Sequence, residues 1–184
     1  MCIRDRHRHA SHLYPLFYEV DPEFIENMEL QNAAVKAIEA RMEYRRGNEG
    51  GEMAFGLVQK GLAAAHINDL EHAYECVDFL CHSYWSEAFT SYHDPGKIFN
   101  LDISGGLPAL ISEMLVQSSQ KEIKILPVLP EQWPSGKIMG VRTRTKSTID
   151  IEWENGQPTY LRILANEANE FKVTYKNQSW DLKL

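Results

Sequence analysis

Residues 91–119 read SYHDPGKIFNLDISGGLPALISEMLVQSS, and this stretch decides how the rest of the chain can be arranged. It places one carboxylate, Asp102, after a largely apolar segment and just before the pair Gly105-Gly106. We predict a sharp turn at the two glycines and a helix from about Gly106, because glycine turns freely and Pro108 is favoured in a first helical turn. The apolar residues of this helix recur at helical spacing and predict a buried face: Leu107, Leu110, Ile111, Met114 and Leu115.

Asp102 is the residue of this stretch that is best placed for chemistry. A carboxylate just before a helix faces whatever lies at that helix end, and the positive end of the helix dipole favours its ionised form. An ionised carboxylate suits the role of a general base. A structural alternative stays open, in which Asp102 forms an Asx turn or caps the helix N-terminus.

The sequence before this stretch has a helical pattern. Pro22 and Asp69 are typical of helix starts, and residues 32–44 have strong helix propensity. Residues 53–67 are apolar almost all round, which is typical of a helix buried between neighbours. Short turns between such helices favour antiparallel packing.

After Gln120 the spacing of apolar residues changes from the helical period to the strand period. Segments rich in β-branched and aromatic residues predict strands at 122–126, 138–145, 148–154, 159–164, 171–175 and 180–184. Asn155-Gly156 lies between two of these segments and is a strong hairpin signal. We therefore predict a helical domain in residues 1–120 and a small antiparallel β-sandwich-like domain in residues 121–184.

The composition excludes some classes of partner. With 43% hydrophobic and 24% charged residues, the 184-residue chain is an ordinary globular sequence. Its formal net charge of −7 argues against nucleic acid and anionic membranes as partners, because both require a cationic face. No stretch is long and apolar enough to span a membrane. The composition does not exclude neutral ligands.

Three histidines within six residues, His7, His9 and His12, form the densest polar cluster of the sequence. A metal site would need facing carboxylates or a further pair of ligands, and neither is evident, so we expect no metal and no cofactor. Imidazole and the nearby phenol of Tyr14 suit sugar hydroxyls better, since they both donate and accept hydrogen bonds. An ordinary surface loop is the alternative.

Other titratable residues are less informative. Glutamates near loop positions are candidates for a general acid, and their spacing does not choose among them: Glu49, Glu52 and Glu87. Further histidines fall on predicted helices and are expected to be structural: His66, His72 and His82.

Three blocks of the sequence resemble the C-terminal part of glycoside hydrolase family 95. They are HRHASHLYPLF at 7–17, HDPGKIFNLD followed by GG and ISEMLVQS at 93–118, and EIKILPVLPEQWPSGKIMGVRTR at 122–144. The order of the three blocks is fairly specific, whereas any one of them alone is weak. The family contains α-L-fucosidases and relatives that act on α-L-galactosides.

The resemblance implies a fold, a mechanism and residue roles. The fold is an (α/α)6 barrel followed by a small β domain, so residues 1–120 would be the last part of the barrel. The mechanism inverts the anomeric centre with an Asp general base and a Glu general acid. Asp102 falls on the base. His12, with His7 or His9, falls on a motif whose histidine contacts the sugar, and His93 lies near a histidine that precedes the base.

The sequence also departs from the family pattern, which commonly has Asp-Gly-Asn-Phe-Gly-Gly at the base. Here Asp102 is followed by Ile103 and Ser104, and the spacing from His93 is longer. The general acid of the family lies upstream of the matched blocks, so we expect a fragment that is inactive alone. The alternative is a non-catalytic, carbohydrate-binding or structural remnant of the barrel. The expected partner is a glycan, and localisation stays open, although members of the family are often exported.

Overall fold

The computed structural model of the chain describes residues 9–47, 53–165 and 167–183. The chain divides into two compact units, Met1–Ile111 and Ser112–Leu184. The first is mainly helical and the second is built from strands, which confirms the predicted order of helices followed by a β region. The assignment of residues 1–120 and 121–184 to a barrel portion and a β domain stays a prediction. The helices are a 3₁₀ helix Ser11–Leu16, α1 Pro22–Glu26, α2 Met28–Gly47, α3 Ala54–His66, α4 Leu70–Ser83 and α5 Asp102–Leu115.

Short polar side chains start the helices. Asp21 precedes α1 and accepts a hydrogen bond from the backbone N–H of Glu23 at 2.9 Å, with Pro22 at the first helical position. Asn27 accepts from two N–H groups of α2. Asp69 accepts from the N–H of His72 at 3.3 Å. These contacts satisfy N–H groups that a helix cannot pair internally, so the starts predicted at Pro22 and Asp69 are confirmed.

The predicted turn at Gly105 and Gly106 is wrong, because α5 begins at Asp102 and both glycines lie inside the helix. A Cβ atom on Gly106 would lie 2.6 Å from the side chain of Val58 in α3. A Cβ atom on Gly61 of α3 would likewise collide with Leu110 of α5. Gly61 and Gly106 are therefore needed because the facing sides of α3 and α5 approach closely, not because the backbone turns.

The β unit contains two sheets. One sheet has four strands, in the order β3 Val116–Ser118, β4 Glu122–Ile125, β8 Glu170–Tyr175 and β9 Gln178–Lys183. The other sheet has three strands, in the order β5 Gly136–Arg142, β6 Ser147–Glu154 and β7 Gln157–Ala165. β4 and β8 pair in parallel, unlike the all-antiparallel arrangement that we predicted. A parallel pair needs a long crossover, and the whole three-stranded sheet lies between these two strands in sequence.

The hairpin predicted at Asn155-Gly156 is confirmed. These residues have φ angles of 51° and 69°, and β6 pairs with β7 on either side of them. Two successive positive φ angles are characteristic of the tight turn whose twist matches that of paired strands. β6 supplies much of the buried apolar surface of the unit through Ile149, Ile151 and Trp153.

Candidate functional site

A short hairpin leads directly into α5. β1 Tyr92–Asp94 pairs antiparallel with β2 Lys97–Phe99, and Gly96 in the turn has a φ of 68°, which glycine adopts without strain. The N–H of Asn100 donates to the carbonyl of Ser91 at 3.1 Å, so the pairing continues one residue beyond the strands. The sequence analysis missed this hairpin, although Pro95-Gly96 between two short strand-like segments is the signal that would have found it.

Asn100 links two of the residues predicted for the site. Its Oδ1 accepts a hydrogen bond from the backbone N–H of Asp102 at 2.5 Å, which caps α5. Its Nδ2 donates to Oδ2 of Asp102 at 2.9 Å and lies 3.2 Å from Nδ1 of His93. The structure thus brings His93 and Asp102 together through one amide. Sequence reasoning missed Asn100, which lies one residue before the usual N-cap position and hydrogen-bonds the backbone two residues on, as Asn side chains do in turns.

Asp102 is the first residue of α5, and its side chain is exposed. The capping contact is made by Asn100, so the capping role that we considered for Asp102 belongs to its neighbour. Among the described residues, Oδ1 of Asp102 has no hydrogen-bonding partner. A carboxylate oxygen without a protein partner can accept a proton from a water molecule.

The segment that carries His9 and His12 is attached to α3. The N–H of Ala10 donates to Oε1 of Gln59 at 2.9 Å, and Nδ1 of His66 lies 2.6 Å from the carbonyl of Leu16. A carbonyl only accepts, so His66 carries a proton on Nδ1 and acts as a structural residue. Its structural role was predicted.

The two candidate histidines differ in their surroundings. The ring of His9 packs edge-on against Phe55, with 5.8 Å between ring centroids. His12 and Tyr14 are both exposed on the 3₁₀ helix. His7 lies outside the described residues.

α3 and α5 begin at the same end of the helical unit. Val58 faces Gly106 and Gly61 faces Leu110, so the contacts advance in the same direction along both helices. His9 packs on Phe55 in the first turn of α3, and Asp102 opens α5. The packing of the two helices therefore places His9 and the pair His93 and Asp102 toward one end of the unit. No measured contact among the described residues joins His9 or His12 to Asp102.

His72 is a second, separate polar centre. Its Nδ1 lies 2.6 Å from Oδ2 of Asp69, and its Nε2 contacts Oε2 of Glu39. The hydrogen bond that the ring donates to the Asp69 carboxylate, assisted by the one to Glu39, raises the pKa of His72 to about 9. The ring therefore joins α2 to α4 as a cation. This contact explains its structural role.

The structure describes one of the three glutamate candidates. Glu87 is exposed in the segment after α4, and Glu49 and Glu52 lie outside the described residues. Residues 9–47, 53–165 and 167–183 contain no group of three or more His, Cys, Asp or Glu side chains that could hold a metal ion. No helix in the same ranges is long and apolar enough to cross a membrane.

Large apolar side chains are exposed around the start of α5. Ile98, Phe99 and Leu101 are each more than half exposed, and Phe89 is 84% exposed. Ile98 also has a φ of 47°, which is unusual for a β-branched residue. Ile98, Phe99 and Leu101 directly precede α5 in the chain, and the apolar face of an aromatic ring such as Phe99 suits the C–H surface of a sugar.

Comparisons with known proteins identify the family of this chain. Residues 3–115 match the model of the glycosyl hydrolase family 95 catalytic domain, and residues 117–183 match the glycoside hydrolase family 95 C-terminal domain. The chain belongs to glycoside hydrolase family 95. Its helical unit, with Asp102 and His93, thus falls in the family's catalytic domain, and most of its strands fall in the C-terminal domain.

Two curated relatives are fucosidases by name. "Alpha-L-fucosidase 2" from Arabidopsis thaliana is 31% identical over 186 residues, which cover 94% of this chain and 21% of the relative. "Probable alpha-fucosidase A" from Aspergillus niger is 21% identical over 164 residues, which cover 82% of this chain and 20% of the relative. The chain therefore spans about a fifth of the length of the curated relatives it matches.

Proposed function

We propose that this chain is part of an inverting glycoside hydrolase that releases terminal α-L-fucosyl or α-L-galactosyl residues from glycans. The observation that carries the proposal is the placement of Asp102 at the exposed N-terminus of α5, with one carboxylate oxygen held by Asn100 and the other open. Membership of family 95 and the fucosidase names of both relatives support the substrate class. Residues 1–120 would then be the end of an (α/α)6 barrel and residues 121–184 its β domain.

Asp102 would act as the general base. Its open oxygen takes a proton from a water molecule while the water oxygen forms a bond to the anomeric carbon, opposite the leaving group. The glycosidic bond breaks, and a carboxylic acid gives its proton to the leaving oxygen. The two carboxyl groups of such a pair lie roughly 6.5–9.5 Å apart, which leaves room for the water. The acid would be a glutamate outside this chain, so the chain alone would be inactive.

The predicted substrate-binding residues would hold the sugar at this end of the helical unit. His93 lies next to the base through Asn100, and His9 lies toward the same end on α3. His12 is exposed on the 3₁₀ helix, and His7 belongs to the same proposed set. Imidazole groups can donate to and accept from sugar hydroxyls, and the apolar residues beside Asp102 would contact the C–H face of the ring.

The test compares two substitutions in the full-length protein. Asp102→Asn should lower hydrolysis of α-L-fucosides about 10²–10⁴-fold, because it removes the base and keeps the shape of the side chain. Asp94→Asn, in the hairpin that precedes α5, is the matched control and should leave activity unchanged. NMR of the first product should show the β-anomer of the free sugar.

Other outcomes have defined meanings. Retained activity in Asp102→Asn would remove Asp102 from the mechanism, and a first product with the α-anomer would exclude inversion. Binding of the glycan by the wild-type protein without any product would favour the non-catalytic alternative.

A further inference from the structure

We infer that Asn100 is a positioning residue, which orients the Asp102 carboxylate and fixes the proton of His93 for contact with a sugar hydroxyl. This inference rests on the proposed function of Asp102. The orientation of the Asn100 amide follows from its own contacts. The backbone N–H of Asp102 can only donate, so the atom that it contacts at 2.5 Å must be the amide oxygen. The amide nitrogen therefore faces Asp102 and His93.

The first consequence concerns the Asp102 carboxylate. Asn100 binds this residue twice, since Oδ1 accepts from its backbone and Nδ2 donates to its Oδ2 at 2.9 Å. The contact with the backbone fixes the Asn100 amide, and the contact with Oδ2 restricts rotation of an exposed side chain that would otherwise sample several rotamers. Oδ2 is occupied by the amide, so Oδ1 is the oxygen that remains for water.

The second consequence concerns His93. An amide nitrogen donates and does not accept, so Nδ1 of His93 must be the acceptor of the contact at 3.2 Å. A ring that accepts at Nδ1 is neutral and carries its proton on Nε2. Among the described residues, no partner occupies this N–H. His93 is thus prepared to donate from Nε2, and a sugar hydroxyl is an acceptor of the right chemistry.

Capping alone does not account for these contacts. The contact with the backbone N–H needs only a side-chain oxygen, which Asp, Ser and Thr also provide. The NH₂ group of Asn100 adds nothing to the cap, yet it is the group that reaches both candidate functional side chains. A substitution that keeps the oxygen and removes the nitrogen therefore separates positioning from stability.

Asn100→Ser makes this separation, and the chain provides a matched control. Asn27 caps α2 through its Oδ1, which accepts from Glu29 at 3.0 Å and from Leu30 at 3.2 Å. In the full-length protein, Asn100→Ser should lower kcat for an α-L-fucoside about 10- to 100-fold, as expected when a reacting group loses its orientation. Asn27→Ser should leave kcat and KM unchanged. Both variants should unfold at the denaturant concentration of the wild type.

The outcomes distinguish this inference from the proposed function. If Asp102→Asn is inactive and Asn100→Ser keeps wild-type kcat, Asn100 is only a cap and the proposed function stands. If Asp102→Asn remains active, the proposed function fails whatever Asn100→Ser does. If Asn100→Ser lowers kcat only in proportion to a loss of folded protein, positioning is likewise excluded.

A spectroscopic measurement tests the inference without turnover. In the same protein with ¹⁵N-labelled histidine, at mildly alkaline pH, His93 should show an unprotonated Nδ1 and a protonated Nε2. Asn100→Ser should give a mixture of the two tautomers, whereas Asn27→Ser should not change the spectrum. A wild-type His93 with its proton on Nδ1 would overturn the inference, because that ring could not accept from Asn100. The His93→Gln variant assigns the signal.

Discussion

Two histidines of the helical unit, His72 and His93, show how neighbours decide what an imidazole does. His72 is buried between the carboxylates of Asp69 and Glu39, and both of its ring nitrogens face acceptors. His93 is half-buried beside the amide of Asn100, and its Nδ1 faces a donor. The first ring is therefore a cation that joins two helices, and the second is neutral with one N–H available.

The difference shows that the hydrogen-bonding partners of a histidine indicate its role better than its position in the sequence does. His72 lies in the first turn of α4 and His93 lies in β1, and each has an Asp close by in the chain, Asp69 and Asp94. Carboxylate acceptors on both sides use up the hydrogen-bonding capacity of His72 within the protein. His93 has an amide donor at Nδ1, so its Nε2–H remains available to a ligand. Substitutions of the two residues should therefore affect different measurements.

The largest expected effect is on stability. His72→Ala leaves Asp69 without its cationic partner and creates a cavity between α2 and α4, so the free energy of unfolding should fall by about 2 kcal/mol. The contribution of Glu39 is small because its side chain is 46% exposed. His82→Ala, on the exposed side of the same helix, is the control and should change stability by less than about 0.5 kcal/mol. Urea denaturation of the three proteins measures both values.

His93→Ala should show the opposite pattern. In the full-length protein, the loss of one hydrogen bond to the sugar should lower kcat/KM about tenfold, which corresponds to about 1.4 kcal/mol. The free energy of unfolding should change by less than about 0.5 kcal/mol, because the residue is half-buried and belongs to a short exposed hairpin. Steady-state kinetics and urea denaturation check the two parts. A variant that loses stability but not activity would make His93 a structural residue like His72.

The smallest effect concerns the pH dependence of stability. The contacts with Asp69 and Glu39 raise the pKa of His72 from 6.5 to about 9. Stability from this shift is fully present below pH 6.5 and is lost as the pH rises through about 9, where the folded ring loses its proton. The difference in stability between the wild type and His72→Ala should therefore be largest at acidic pH and should narrow toward pH 9. Denaturation across this range measures it, and a constant difference would contradict a cationic His72.

Local signals in the sequence were sufficient for much of the fold. Pro22 and Asp69 mark helix starts through contacts that reach only two or three residues along the chain, and Asn155-Gly156 marks a turn through its own backbone angles. Such interactions depend on neighbouring residues alone, so their pattern is visible in the sequence.

Contacts between distant residues were not visible in the sequence. Gly106 is small because Val58 lies against it, and nothing within residues 91–119 reveals that contact. The pairing of β4 with β8 joins strands that are separated by a whole sheet. The part of the site formed by Asn100 depends on a hairpin of three-residue strands, which are too short for an alternating pattern to be recognised. The sequence identified Asp102 as a candidate from its position before a helix, whereas its contact with Asn100 is visible only in the structure.

The paired glycines of α3 and α5 also limit how this segment can be recombined with related sequences. Gly61 faces Leu110 and Gly106 faces Val58, so each helix has a small residue where the other has a large one. A chimera that takes α3 from one parent and α5 from another would place two bulky side chains in the same space wherever the parents differ at these positions. The two helices therefore form one block for exchange, and we expect a crossover between them to destabilise the protein wherever the parents differ at these four positions.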